Sequence, residues 1–156
     1  MATIKVTNEV ELMLGALSTR SAEINKKALY EGAKVMADAM KTEIQNLPTD
    51  ERTNAPVLNG IKQAQKNGLL ESFGVAPFDE NDGTRTTHLG FDGYNSIVTK
   101  RWPNGQPNSM IARSINAGTS FMMATPFIDR TRRLHKSEAE KRMEEVIREE
   151  IKEETE

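Results

Sequence analysis

Apolar and polar positions alternate in steps of two over residues 3–7, where Ile4 and Val6 stand between polar neighbours, and this period predicts a short strand or extended arm. Asn8 and Glu11 have the spacing of a reciprocal helix cap, and Val10, Met13, Leu14 and Leu17 follow at helical intervals. Residues 1–17 therefore read as an N-terminal arm and short helix. A second cap at Ser18, Thr19 or Ser21 precedes Ala28, Leu29, Gly32, Val35, Met36, Ala39, Met40, Ile44 and Leu47, so a long helix is predicted over residues 21–46, stopped by Pro48. Gly32 inside it signals either close approach of another segment or a cost tolerated on a long helix.

Residues 48–66 carry Pro, Asn, Asp and Thr with only Val57, Leu58 and Ile61 as apolar points, the makeup of a long loop expected to take its order from neighbouring molecules. The apolar runs 69–75 and 88–91, separated by the polar tip 79–84, predict an antiparallel hairpin, and residues 96–102 suggest a further short strand. Asn108 is placed to cap a helix over residues 108–117 that closes at Gly118. Thr125 as cap and Pro126 at the first helical position open a C-terminal helix over residues 125–152, with a thin stripe of Phe127, Leu134, Ala139, Met143, Val146, Ile147 and Ile151. These elements predict one domain, residues 1–156, of α+β class: an antiparallel sheet of three or four strands packed by the helix of the N-terminal half and the long C-terminal helix.

Composition makes that core lean. Hydrophobic residues are 37% of the 156, about 43% with Gly counted, against about 45–50% in ordinary globular chains. Long helices then leave apolar stripes to be covered by other subunits. The 21 Lys and Arg nearly balance the 23 Asp and Glu, for a net charge of -2, which disfavours a protein dedicated to wrapping DNA. The chain has no cysteine, so disulfides, thiolate metal sites and a thiol nucleophile are excluded. No membrane span and no signal-peptide layout is present, and a soluble protein made inside a cell is expected.

Candidate chemistry is sparse. His88 and His135 have no metal-type spacing, no serine sits in a nucleophile elbow, and the glycines form no phosphate-binding loop. Neither an enzyme activity nor a cofactor nor a metal is expected. The charges inform through their order: residues 129–136 are net +3, with Arg130, Arg132, Arg133 and Lys136, and residues 144–156 are net -5. A solvated helix face explains this, as does packing of neighbouring copies; a small regulatory or nucleic-acid-binding module using the basic start of the last helix is the alternative. Phe121, Met122 and Met123 are too apolar for an ordinary exposed loop, and either core packing or a subunit interface accounts for them.

Several short motifs occur in a set order: Ala28-x-x-x-Gly32-Ala33, Ala55-Pro56-Val57, Asn59-Gly60, Leu69-Leu70-Glu71-Ser72-Phe73-Gly74-Val75, Gly118-Thr119, then Thr125-Pro126-Phe127-Ile128 before a long charged helix. Over about residues 28–150 this resembles the small minor structural proteins at the head-tail junction of long-tailed bacteriophages and prophages, called neck, tail-completion or head-tail joining proteins. Asp129-Arg130-Thr131 stands where members often have Arg-Pro-Ala, and Ile111-Ala112-Arg113-Ser114-Ile115 replaces an aromatic-alanine stretch. The resemblance implies a virion protein made in the host bacterial cytoplasm and placed at the head-tail interface. It implies no catalysis, and a ring of identical subunits between the head portal or connector and the tail tube. Its partners would be its own copies and other phage connector and tail proteins, with no membrane and no sequence-specific nucleic acid, DNA being free to pass through the ring. The subunit interface is expected at Gly118, Thr119, Phe121, Met122, Met123, Phe127, Arg130, Arg132 and Arg133.

Overall fold

The computed structural model describes residues 2–6, 21–77, 79–81 and 84–155. The short helix expected after Asn8 lies outside them. Two long helices dominate: α1 (Ser21–Gln45) and, at the other end of the chain, α4 (Phe127–Thr155). They pack antiparallel, since ion pairs join Glu43 to Arg130 (3.1 Å), Glu31 to Arg142 (3.6 Å) and Lys27 to Glu150 in that order along them. Strand β1 (Ala2–Val6) precedes both, and between them come the short helix α2 (Gln63–Ser72), strands β2 (Phe73–Val75), β3 (Asp79–Asn81) and β4 (Thr84–Phe91), and helix α3 (Asn108–Ala117). The class is mixed α+β, as expected.

Strand β4 is the one that all others share. β1 runs antiparallel along one side of it, pairing Ala2 with Leu89 and Val6 with Arg85. β2 and β3 follow one another along the opposite side, with Phe73 against Phe91 and Asp79 against Thr86. The period of two holds where β4 meets the core: Thr87, Leu89 and Phe91 are buried while the residues between them are not. Thr87 can be fully enclosed because its hydroxyl donates to the carbonyl of Ala76 at 2.8 Å, which satisfies the polar atom.

One cluster holds most of the core: Met36, Met40 and Ile44 of α1, Leu69 of α2, Phe73, Leu89 and Phe91 of the sheet, Ile111 and Ile115 of α3, and Phe127 of α4. A second, smaller one joins Ala28 and Leu29 to Met143 and Val146 farther along the helix pair. It answers the question posed by Gly32: a Cβ there would lie 2.5 Å from Cγ of Met143, so the missing side chain makes room for α4.

Several local expectations are corrected. Leu69, Leu70, Glu71 and Ser72 are helical rather than extended, so the run expected as strand 69–75 is a strand only from Phe73 onward, and the loop expected to reach residue 66 gives way to α2 at Gln63. The Gln65 side chain accepts from the Lys62 N–H at 2.9 Å and caps this helix from inside. Residues 96–102 form no strand; they belong to a loop closed by Asn95 N–H to the Gln106 carbonyl (2.7 Å). Asn108 does not cap α3 but lies buried, its amide donating to the Asp92 carbonyl at 3.0 Å and its oxygen accepting from Asn95 at 3.2 Å. α4 begins at Phe127, one residue after Pro126.

Phe127 is completely enclosed, with its ring 6.3 Å from that of Phe91 in an edge-on contact, and Phe91 in turn 5.1 Å from Phe73. Phe127→Ala should cost about 3–5 kcal/mol of stability. Chemical denaturation of the two proteins under identical conditions measures it, and a loss well under 1 kcal/mol would contradict this placement.

Candidate interaction surface

The residues expected at an interface begin where α3 stops. Gly118 has φ of +78°, a conformation that side chains with a Cβ adopt only with strain, and a Cβ would also sit 2.9 Å from that of Ala124. Its N–H donates to the Ser114 carbonyl at 2.7 Å and closes the helix. The chain then turns back on itself: Thr119 N–H donates to the Met122 carbonyl at 3.0 Å, and the Thr119 hydroxyl accepts from the Phe121 N–H at 3.2 Å. Thr125 N–H returns to the Ile115 carbonyl at 2.8 Å. Asn116 ties the far side by accepting from the N–H groups of Ile128 (3.0 Å) and Asp129 (3.3 Å), two of the free donors of the first turn of α4.

This turn is stitched to a second loop. Leu58 N–H donates to the Phe121 carbonyl at 2.7 Å and Met123 N–H to the Leu58 carbonyl at 3.0 Å, a short parallel bridge. Residues 48–61 are not left to neighbours for their order. The ends meet through Asp50 N–H to the Ile61 carbonyl (2.8 Å) and Ile61 N–H to the Pro48 carbonyl (3.1 Å), the closed-neck geometry of a compact surface loop. Inside the neck the buried Asp50 carboxylate accepts from Arg52 Nη2 (2.6 Å), Arg52 Nε (2.9 Å) and the Asn59 N–H (2.9 Å). The Arg52 guanidinium first, and the Asn59 N–H second, hold its carboxyl well below the usual carboxylate range.

On this framework stand Phe121 (73% exposed), Met123 (59%) and Val57 (43%), while Met122 turns inward and packs on the core. The Phe121-Met122-Met123 run is thus split: one residue for the interior, two for the outside. Gly118, Thr119, Phe121, Met122 and Met123 lie together in this turn. Phe127 is not part of this surface, because its side chain is wholly inside the subunit and cannot reach a partner. The arginines are also largely spoken for. Arg130 pairs with Glu43, Arg132 lies 3.6 Å from Asp129, and Lys136 lies 4.0 Å from Glu140, so the basic start of α4 is neutralised in place. Arg133 is exposed and has no ion pair among the described residues.

Val57, Leu58 and the Asp50–Arg52 staple were not foreseen as parts of this surface. The Asp-x-Arg spacing is a local signal for the staple, but nothing local announces that Leu58 meets Met122, 64 residues away. The two histidines stay apart from it and from each other. His135 meets Glu138 at 3.1 Å on α4, whereas the His88 backbone lies in β4. Among the described residues no cluster of three or more His, Asp or Glu could hold a metal ion, and no helix is long and apolar enough to cross a membrane. The chain matches no protein-family model, no curated protein and no solved structure.

The staple carries a pH signature. A carboxyl that binds its proton more weakly folded than unfolded stabilises the loop fully above the unfolded value, about pH 4, and loses that contribution as pH falls below it. The NMR amide signal of Asn59 should therefore move with a titration well below pH 4, and Asp50→Asn should abolish that titration and speed amide exchange at Asn59. An Asn59 amide that titrates at the ordinary carboxylate value would contradict the staple.

Proposed function

We propose that this chain is a structural subunit of the head-tail connector of a long-tailed phage or prophage, a neck or tail-completion protein that assembles as a ring between the head portal or connector and the tail tube. The observation that carries the reading is the seam of two hydrogen-bonded loops from which Phe121, Met123 and Val57 project. A Phe and a Met more than half exposed on hydrogen-bonded backbone lose little freedom on meeting a partner, which favours binding. Such a cluster of exposed apolar side chains on ordered backbone suits contact with another protein. The order of motifs from Ala28 to the last helix supports the same reading.

In this reading the strands gathered on β4 act as one antiparallel sheet of three or four strands, packed by α1 and α4 into the rigid body of the subunit. The protein works in the virion, without catalysis or cofactor, and its partners are its own copies and neighbouring connector and tail proteins. The nucleic-acid alternative relied on the basic start of α4, and the pairing of Arg130 with Glu43 and of Arg132 with Asp129 weakens it.

Replacing Phe121 and Met123 together by Asp tests the reading. Both side chains are exposed, so the subunit should keep its circular dichroism and its thermal transition. At a dry contact the same charges are costly, so self-assembly seen by sedimentation should fall by at least about tenfold. Unchanged assembly of the folded variant would remove this seam from the interface.

A further inference from the structure

Residues 93–128 contain no Asp or Glu and three cations, Lys100, Arg101 and Arg113, whereas residues 144–156 contain seven Glu against Arg148 and Lys152. A chain of net charge only -2 is thus divided into a positive and a negative pole. The fold keeps them apart. The positive stretch comprises the loop 93–107 and α3, which Asn116 fastens to the base of α4; the negative stretch is the far end of α4. From Asp129 to Glu153 the unbroken helix spans about 36 Å. Charges are screened within about 8 Å at physiological ionic strength. Lys27 of α1 offsets part of the acidic end, pairing with Glu150, and no ion pair or hydrogen bond among the described residues joins the two poles, so a contact between molecules is the way for them to meet.

The positive end is held in shape before any partner arrives. Thr99 and Trp102 exchange N–H to carbonyl bonds of 3.1 Å in both directions, and Gln106 N–H donates to the Ile97 carbonyl at 3.0 Å. At the tip the Arg101 guanidinium lies 5.7 Å from the centre of the Trp102 ring, beside the exposed Lys100. Neither cation has an acidic partner among the described residues. Cations fixed in this way lose little freedom on meeting a carboxylate.

We infer that the loop 93–107 and α3 receive the Glu-rich far end of α4 from a second copy, with Lys100, Arg101 and Arg113 facing the exposed Glu149 and Glu153 in a head-to-tail contact. This rests on the reading of the chain as a self-assembling subunit and deepens it, because closed rings join one patch to a different patch on the next copy and the seam of Phe121 and Met123 names only one of them. The seam follows α3 directly in the chain, which places apolar and charged contacts in succession. A second copy is favoured over nucleic acid as the occupant. Affinity for a phosphate backbone grows with the number of cations it meets, and three are few, whereas the chain itself supplies carboxylates to match them.

Two variants test this, each altering exposed residues only: Lys100→Glu with Arg101→Glu, and Glu149→Lys with Glu153→Lys. Alone, each brings like charges together at every junction, and its assembly in sedimentation at about 50 mM salt should weaken by at least about tenfold relative to wild type. Mixed in equal amounts they should assemble again, because each reversed patch then meets a reversed partner and each native patch a native one. Wild-type assembly that neither variant disturbs would overturn this inference and leave the proposed function standing; a wild type that stays monomeric would overturn both. Intact assembly of the Lys100→Glu, Arg101→Glu variant with loss of duplex DNA binding would assign the cations to a polyanion and overturn it as well.

Discussion

The architecture depends on the burial of Phe127 at the first turn of α4. With no exposed surface and an edge-on contact to Phe91, this ring fixes where a helix of 29 residues enters the core and in which direction it leaves. Thr131, one turn on, can be buried beside it because its hydroxyl donates to the Phe127 carbonyl at 2.7 Å. From that anchor α4 runs back along α1 through the ion pairs of Glu43, Glu31 and Lys27. The few residues joining α3 to the anchor then have little choice of path: Gly118 reverses the chain, and the turn that follows is pushed outward against the loop neck at Leu58.

Outward projection of apolar side chains is therefore a consequence of the core. Met122 enters the interior and the residues on either side of it point away, as alternation along a short extended segment requires. Because the Asp50 staple and the Ile61 bonds hold the receiving loop, the exposed Phe121 and Met123 stand on backbone already ordered by the subunit itself. Charge is arranged on the same plan. Pairs along α1 and α4 neutralise the middle of the helix pair, while residues 93–107, which hold no acid, and the Glu-rich end of α4 carry opposite charge. Surface segregation of this kind favours defined contacts between copies in the proposed assembly over random association.

Long periodic stretches made much of this legible from the residues alone. α1, α3 and α4 lie within about three residues of the helical spacings that predict them, because each carries its own apolar stripe and a start or stop signal. Where contacts distant in sequence decide the structure, reading along the chain fails. Asn67-Gly68 has the composition of a turn, yet it is helical in α2 because Gly68 lets the Asn95 amide approach; a Cβ there would lie 2.2 Å from its nitrogen. Asn95 is in turn held by Asn108, which is drawn away from the capping role its position suggests. Among the site residues, the exposed pair Phe121 and Met123 was visible as an apolar run, but the inward turn of Phe127 was not, since an aromatic residue after Pro126 looks the same whether it faces a partner or the sheet.

The central claim is that the subunit presents a ready-made seam for its own copies. Electron microscopy of the purified protein at micromolar concentration, with no other component added, tests this most directly. The account predicts closed, ring-shaped particles of uniform subunit number, with α3 and the turn after it at the junctions. Single subunits alone, persisting at low and high salt, would contradict it.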